Sequence, residues 1–204
     1  IISSFYGDPD LPGRVRLDPS WLLALARARC ADDKAAVRRS GLQLLESLLC
    51  LRAHLAAGGE PGVASDVAAA AAGAPCQQDL DVVEGAAGDP LLSVRKAALL
   101  AACSLAAQFP NVPAVAELWV RCVLPMVRDP ESAIQDTVLD QAQALLFERS
   151  ASVGSSSASR SGLARLELLP LLAAVARMGR AASGCLHKIC GLLAQRKALK
   201  ARAT

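Results

Sequence analysis

The fold is decided by a stretch that occurs three times in the chain. Its clearest copy reads Asp89-Pro-Leu-Leu-Ser-Val-Arg-Lys-Ala-Ala-Leu99, and the other two copies begin at Asp32 and Asp129. Self-similarity of this kind is typical of a repeat architecture, in which each unit buries its apolar face by stacking on its neighbours. We therefore expect function to lie in an extended surface and not in a pocket.

The apolar pattern continues beyond the repeated stretch. Leucine or alanine recurs at two further positions in each copy, and these pairs are Leu45 and Leu48, Ala102 and Leu105, and Ala142 and Leu145. Their distances from Val37, Val94 and Ile134 keep the side chains on one stripe of a helix with about 3.6 residues per turn. Each copy therefore predicts one helix, and this stripe predicts its buried face.

The helix starts are marked by aspartates. Asp89 and Asp129 each precede a proline, and we predict them as N-caps followed by proline in the first helical position, where a missing N–H has no partner to lose. Asp32 or Asp33 is expected to cap the first copy. Because an apolar segment also lies before each copy, the unit is predicted as helix, short turn with aspartate, second helix. These segments are 21–30, 80–87 and 115–127.

Spacing and composition together predict an all-α fold, an α-solenoid of stacked HEAT-type helix pairs. The second and third copies lie 40 residues apart, within the roughly 40–47 residues of HEAT or armadillo units. Hydrophobic residues make up 53% of the chain and aromatic residues only 3%, which favours close helix packing over sheets. One solenoid fragment is predicted over 1–204, with units at about 19–56, 79–108, 112–149 and 162–199 and flexible insertions at about 57–78 and 150–162.

The last predicted unit consists of two helices, at 163–178 and 182–199. The chain starts at Ile1 without a methionine, so we expect it to be a piece of a longer protein. No apolar run reaches the 18 or so residues of a membrane span, and Asp8 and Asp10 interrupt the N-terminal region before any signal-peptide core.

The seven cysteines form no CxxC pair and lie mostly in apolar helical runs. This pattern favours reduced core cysteines of an intracellular protein over a disulfide framework.

Charge is divided unevenly along the chain. Residues 1–159 hold 13 Lys and Arg against 18 Asp and Glu, whereas residues 160–204 hold 9 against one. Arg196, Lys197, Lys200 and Arg202 crowd the C-terminal end, a pattern that neutralises phosphates and favours nucleic-acid binding. The alternative is a solvated helix end, whose cations complement the helix dipole.

Two basic doublets, Arg38-Arg39 and Arg95-Lys96, also have two interpretations. Stacked copies would form a basic ladder that contacts phosphates or acidic partners. Structural pairing with turn carboxylates, including those of the neighbouring repeat, is the favoured alternative. The third copy has Gln135-Asp136 instead and would interrupt a basic ladder.

Neither catalysis nor a bound cofactor or metal is predicted. Cys50 and His54 lie four residues apart and would suit a thiolate–imidazole pair, but nothing in the sequence orients the imidazole. A small enzyme that uses this pair stays as an alternative hypothesis. Cys185, His187 and Cys190 share one helix and point in divergent directions, so a zinc site would need a distorted backbone and a further ligand.

Residues 89–99 resemble the HEAT consensus, and residues 118–136 are similar to a more specific pattern. That pattern combines Trp119, a Val-Leu-Pro sequence at 123–125 and an Asp-Pro-Glu-Ser turn at 129–132, and it resembles the HEAT-repeat D-type (non-SMC) subunits of condensin II. Residues 185–200 resemble the following helices of that family with their basic ending.

This resemblance implies a nuclear, chromosome-associated scaffold in mitotic chromosome condensation. Such a scaffold would bind the kleisin and SMC ATPase subunits and contact duplex DNA or chromatin, with ATP hydrolysis left to the SMC partners. It would need no membrane and no small-molecule substrate. DNA contact is expected first at Arg196, Lys197, Lys200 and Arg202, and second at Arg38, Arg39, Arg95 and Lys96. A nuclear transport adaptor or phosphatase scaffold of HEAT type is the alternative, and the basic C-terminal segment argues against it.

Overall fold

The computed structural model describes residues 19–57, 73–148 and 158–202, and every regular element in these ranges is helical. The all-α prediction is therefore confirmed. The α-helices of these ranges are α1 (Pro19–Cys30), α2 (Ala35–Ala57), α3 (Gln77–Ala87), α4 (Leu92–Gln108), α5 (Pro113–Cys122), α6 (Ser132–Gln143) and α7 (Ala158–Arg202).

The helices form two stacked layers. The first helices α1, α3 and α5 contact one another in chain order, the second helices α2, α4 and α6 do the same, and α7 packs on α5 and α6. Gly41 allows α1 and α2 to approach closely, since a Cβ at this position would lie 2.9 Å from backbone atoms of Arg29 and Cys30. This arrangement is solenoid-like, as the repeated stretch predicts.

The second helices begin later than the Asp-Pro pattern predicts. Leu91 is the N-cap of α4 and Glu131 is the N-cap of α6, so Pro90 and Pro130 lie outside the helices. Asp89 instead accepts the backbone N–H of Leu91 at 2.8 Å in a local turn. Because this turn uses Oδ1 of each aspartate for a backbone N–H, the other carboxylate oxygen, Oδ2, is available to another side chain.

The first helix of the third unit is shorter than predicted. The apolar segment 115–127 is divided into α5 and a 3₁₀ helix over Pro125–Arg128. Pro125 has no backbone N–H to donate and its ring crowds the preceding turn, so α5 cannot continue through it.

The last two predicted helices meet at Gly179. Helix α7 is interrupted there by a backbone with φ 73° and ψ −151°, a conformation that only glycine adopts readily. The break falls between the two predicted helices, which therefore lie end to end with a change of direction.

The predicted buried stripe forms the core. Val94, Leu99 and Leu105 of α4 are fully buried, as are Ile134 and Ala142 of α6. In the first unit, Val37 and Leu48 are only half-buried. Helix α2 is covered by α4 on one side, and no other second helix within the described residues covers its opposite side. Leu44, Leu51 and Leu55 of α2 are exposed as a result.

The predicted insertions lie largely outside the described residues. Their described ends differ from the prediction, because α2 extends to Ala57, α3 already begins at Gln77 and α7 already begins at Ala158. Within the described residues, no helix combines the length and apolarity that crossing a membrane requires.

Candidate interaction surfaces

Two arginines of the repeated stretch join neighbouring units. Arg38 donates from Nε to Oδ2 of Asp89 at 2.8 Å and from Nη2 to Oδ1 at 3.1 Å. Arg95 binds Asp129 in the same way at 2.9 and 3.1 Å. Both forks are bidentate, which is the strong form of an arginine–carboxylate pair. We call these four residues the turn ladder.

Each ladder arginine also stabilises the turn of its own unit. Nη1 of Arg38 donates to the carbonyl oxygens of Asp32 and Asp33 at 3.0 and 2.9 Å, and Nη1 of Arg95 donates to those of Asp89 and Pro90 at 3.1 and 3.0 Å. One guanidinium therefore fixes both a turn and its distance from the next turn. Structural pairing is the interpretation that the structure shows for these two arginines.

The ladder carboxylates are held in their charged form. The hydrogen bonds from Arg38 lower the pKa of Asp89 below its usual value. Burial would raise the pKa of Asp129, but the hydrogen bonds from Arg95 and from the Glu131 N–H outweigh it and the pKa is lowered. Both aspartates thus titrate at lower pH in the folded chain.

The third copy ends the ladder. Gln135 occupies the position of Arg38 and Arg95, and its Nε2 donates to the Asp129 carbonyl at 2.7 Å. An amide has no second fork that could reach a further turn. In the third unit, the residue at this position therefore keeps the hydrogen bond to the turn of its own unit, but it cannot form the bidentate bond to the turn of a neighbouring unit.

The second members of the doublets have a different environment. Arg39 and Lys96 are exposed, and no carboxylate of the described residues forms an ion pair with either. Asp136 takes the equivalent position in the third copy. The doublets thus divide into a structural arginine and an outward-facing cation.

The predicted C-terminal basic group is only partly described. Arg196 forms ion pairs with Asp136 and, at 2.9 Å, with Asp140, both on α6. The side chains of Lys197, Lys200 and Arg202 lie outside the described residues. Nucleic-acid contact stays a prediction for all eight basic residues, and the structure adds that Arg38, Arg95 and Arg196 already hold carboxylates.

A buried ionic network near α3 was not predicted. Asp79 is fully buried and accepts Arg27 Nε at 2.7 Å and the Cys76 N–H at 2.9 Å, with Arg52 Nη2 at 4.0 Å. Arg52 in turn donates to the carbonyl oxygen of Ala74 at 2.6 Å. The sequence gives only a weak indication of this network. An acidic residue three positions after an N-cap is common in the first turn of a helix, so Asp79 does not stand out.

The first helices are also joined by ion pairs. Arg121 of α5 donates to Glu84 of α3 at 2.9 Å, and Arg177 of α7 contacts Glu117 of α5 at 2.8 Å. The groups are partly exposed, so each pair contributes little to stability. Together they neutralise the carboxylates along this layer.

The structure does not assemble the Cys50–His54 pair. The Cys50 thiol faces the Ser104 hydroxyl at 3.7 Å, while Nδ1 of His54 lies 2.7 Å from the Cys50 carbonyl oxygen. Burial raises the pKa of the Cys50 thiol, so the thiol stays protonated, which is the opposite of nucleophile activation.

The other cysteines behave as packed or isolated thiols. Burial raises the pKa values of Cys103 and Cys122 to about 12. Cys185 is buried, whereas His187 and Cys190 on the same helix are exposed. Cys185 therefore lies on a different face of the helix from His187 and Cys190, and the described residues contain no group of three or more His, Cys, Asp or Glu side chains that could hold a metal ion.

The fold and these surfaces define an all-helical, solenoid-like protein whose distinctive residues join one helix pair to the next. The chain is similar to the condensin-2 complex subunit D3-L of Xenopus laevis, with 30% identity over 132 residues. The match covers 64% of this chain and 8% of the relative, so the chain spans less than a tenth of that protein. This likeness supports a condensin-related protein of HEAT type. No protein-family model matches the chain, and no solved structure matches it.

Proposed function

We propose that this chain is a non-catalytic scaffold segment of a condensin II-like complex, equivalent to part of its D-type subunit. It would bind the kleisin and SMC ATPase subunits and duplex DNA or chromatin in mitotic chromosome condensation, in the nucleus. The observation that carries the proposal is the 30% identity to a condensin-2 subunit, together with a fold whose ionic contacts mostly join neighbouring helix pairs.

The environment of the thiols supports a scaffold over an enzyme. A cysteine nucleophile needs a lowered pKa and a base in reach. Cys50 has a raised pKa and contacts a serine hydroxyl instead. Stacked helix pairs instead present an extended surface on which other macromolecules can bind.

For DNA contact, the ion pairs of the structure rank the predicted residues. Arg38 and Arg95 each bind a carboxylate through Nε and Nη2, so phosphate contact at these atoms would break a bond between units. Arg39 and Lys96 are exposed, and no carboxylate of the described residues pairs with either. With Lys197, Lys200 and Arg202, they are the cations that we propose for DNA.

Subunit binding tests the scaffold role directly. The purified chain should capture recombinant kleisin and SMC subunits of condensin II, and it should not capture a phosphatase catalytic subunit or a nuclear import cargo. Capture of either of the latter, without the condensin subunits, would move the chain to the other class of HEAT scaffold.

A second arm measures DNA binding by fluorescence anisotropy at several salt concentrations. Two charge-reversed variants are compared, Lys197→Glu/Lys200→Glu/Arg202→Glu and Arg39→Glu/Lys96→Glu. Loss of three phosphate contacts should reduce the slope of log K against log salt by about 3, and loss of two by about 2. Unchanged affinity in both variants would exclude these cations as the DNA surface.

A further inference from the structure

An open apolar cleft lies between α5, the 3₁₀ helix and α7. Its volume is about 430 Å³, within the range of sites that enclose a ligand or part of a peptide. Apolar side chains supply much of its lining, and Glu84, Arg121 and Arg128 supply the charged part. The lining includes Val120, Leu124, Pro125, Met178, Ala181 and Cys185. A second cleft of about 430 Å³ adjoins the first on the other side of Arg128, towards α3.

Arg128 lies against α7 at a glycine. Its Nη2 atom is 3.9 Å from the position that a Cβ of Gly184 would take, which is an ordinary van der Waals distance. Lys188 follows one turn later on the same stripe, and its Nζ donates to the Val127 carbonyl at 3.2 Å. Arg180 precedes Gly184 by one turn on that stripe. We call Arg128, Arg180 and Lys188 the α7 basic cluster.

The cluster has no carboxylate partner among the described residues. The two acidic residues that line the clefts are both paired with other arginines. Glu84 binds Arg121, which also lines both clefts, at 2.9 Å, and Asp129 binds Arg95 at 2.9 Å. Lys188 contacts a neutral carbonyl oxygen and forms no ion pair within the described part of the chain. Arg128 thus lines the cleft, and Arg180 and Lys188 lie one helical turn to either side of its contact at Gly184. All three side chains are exposed, and no carboxylate of the described residues compensates their charge.

We infer that this cleft binds an acidic peptide segment of a protein partner, with a bulky apolar side chain in the cleft and carboxylates on the α7 basic cluster. Charge complementarity selects an acidic ligand, and the apolar lining selects a peptide over DNA, because phosphates and sugars would leave that surface unfilled. The cleft lining contains no aromatic residue on which bases would stack. This inference rests on the proposed scaffold function, for which it supplies one partner surface.

The test uses short fluorescein-labelled peptides and anisotropy. The first peptide combines Glu and Asp with Leu and Phe, the second replaces the apolar residues by Ser, and the third replaces the acidic residues by Lys. The full chain should bind the first about tenfold more tightly than the others, because only that peptide offers both the anchor and the charge. Equal binding of the Ser peptide, or no binding of the first peptide, would overturn the inference.

Variants locate the site on the surface. Ala181→Trp fills the cleft from an exposed position without changing charge, and Arg128→Glu/Arg180→Glu reverses the cluster. Each should weaken binding of the first peptide about tenfold or more. Arg29→Glu/Lys34→Glu makes the same charge change at two exposed positions of the first unit, which do not line the cleft, and should leave binding within about twofold of the parent. Circular dichroism checks that every variant keeps its helix content.

The outcomes separate this inference from the proposed function. If the parent captures condensin subunits but Ala181→Trp binds the peptide as well as the parent does, the cleft assignment alone is wrong. If the parent captures no condensin subunit and yet shows the expected peptide pattern, the proposed complex is wrong and the cleft remains a peptide site.

Discussion

Asp79 shows how a single residue holds three helices at one point. Its carboxylate is fully buried and receives Arg27 from α1 and the N–H of Cys76 before α3, with Arg52 of α2 at 4.0 Å. A buried charge is tolerated only when partners replace its lost hydration. Asp79 therefore fixes how the second unit sits on the first.

We expect Asp79→Ala to lower the free energy of unfolding by about 3 kcal/mol, because it leaves two guanidinium groups without their carboxylate. The matched control is Asp81→Ala, two residues along the same helix, where the side chain is exposed and the expected change is within about 0.5 kcal/mol. Urea unfolding followed by circular dichroism measures both. Equal losses in the two variants would mean that the network does not stabilise the fold.

Among the elements, α7 depends most on one backbone conformation. The break at Gly179, with φ 73° and ψ −151°, redirects the helix so that residues on both sides of it are buried, among them Val175 and Ala182. Glycine has no Cβ, so it adopts these angles without steric strain. The two halves of α7 thus pack on α5 and α6 as separate surfaces.

Two alanine substitutions in α7 should have opposite effects. Gly179→Ala should destabilise the chain by about 2 kcal/mol, since this backbone region is strained for every residue with a Cβ. Gly191 lies in the helical part of α7, and a Cβ there meets no other atom within 4 Å. Gly191→Ala should stabilise by up to about 1 kcal/mol through helix propensity. Thermal unfolding of both variants checks the signs, and a stabilising Gly179→Ala would contradict the observed break.

At the scale of the whole molecule, stability depends on contacts between units that are each too small to fold alone. The turn ladder joins three successive turns through Asp89 and Asp129, and α4 contacts α2, α3, α5 and α6. The ladder carboxylates have lowered pKa values in the folded chain. Their contribution to stability is therefore linked to pH.

The sign of this linkage follows from proton uptake. Near pH 4 the unfolded chain binds more protons than the folded chain, because only the folded state lowers these two pKa values. The ladder contribution is complete above about pH 5 and is lost as the pH falls below about 4, through the folded pKa values.

The urea midpoint of the parent chain should decrease over this pH range, and the urea midpoint of the Asp89→Asn/Asp129→Asn variant should decrease less steeply. Asp33→Asn/Asp81→Asn removes the same formal charge outside the ladder and serves as the control. An unaltered slope in the ladder variant would show that the ladder is not the titrating group.

The sequence by itself determined the helix pairs and their buried faces. The spacing of Val94, Leu99 and Leu105 is a local property of the chain, and a helix converts that spacing into one apolar stripe whatever surrounds it. The position of the break at Gly179 is also a local property of the chain, because it falls between the two helices that the sequence predicts. The predicted N-caps at Asp89 and Asp129 were wrong because the turn takes their carboxylates before the helix begins.

Only the tertiary structure decided which charged residues are available to partners. The sequence placed Arg38 beside Arg39, yet one is bound to Asp89, 51 positions away, and the other is exposed. Arg196 meets Asp136 and Asp140 in the same non-local way, and Arg128 lies beside Arg180 and Lys188 only because α7 packs on the 3₁₀ helix. Such pairs depend on how far one unit is rotated on the next, and this angle results from the packing of many side chains, which no local pattern encodes.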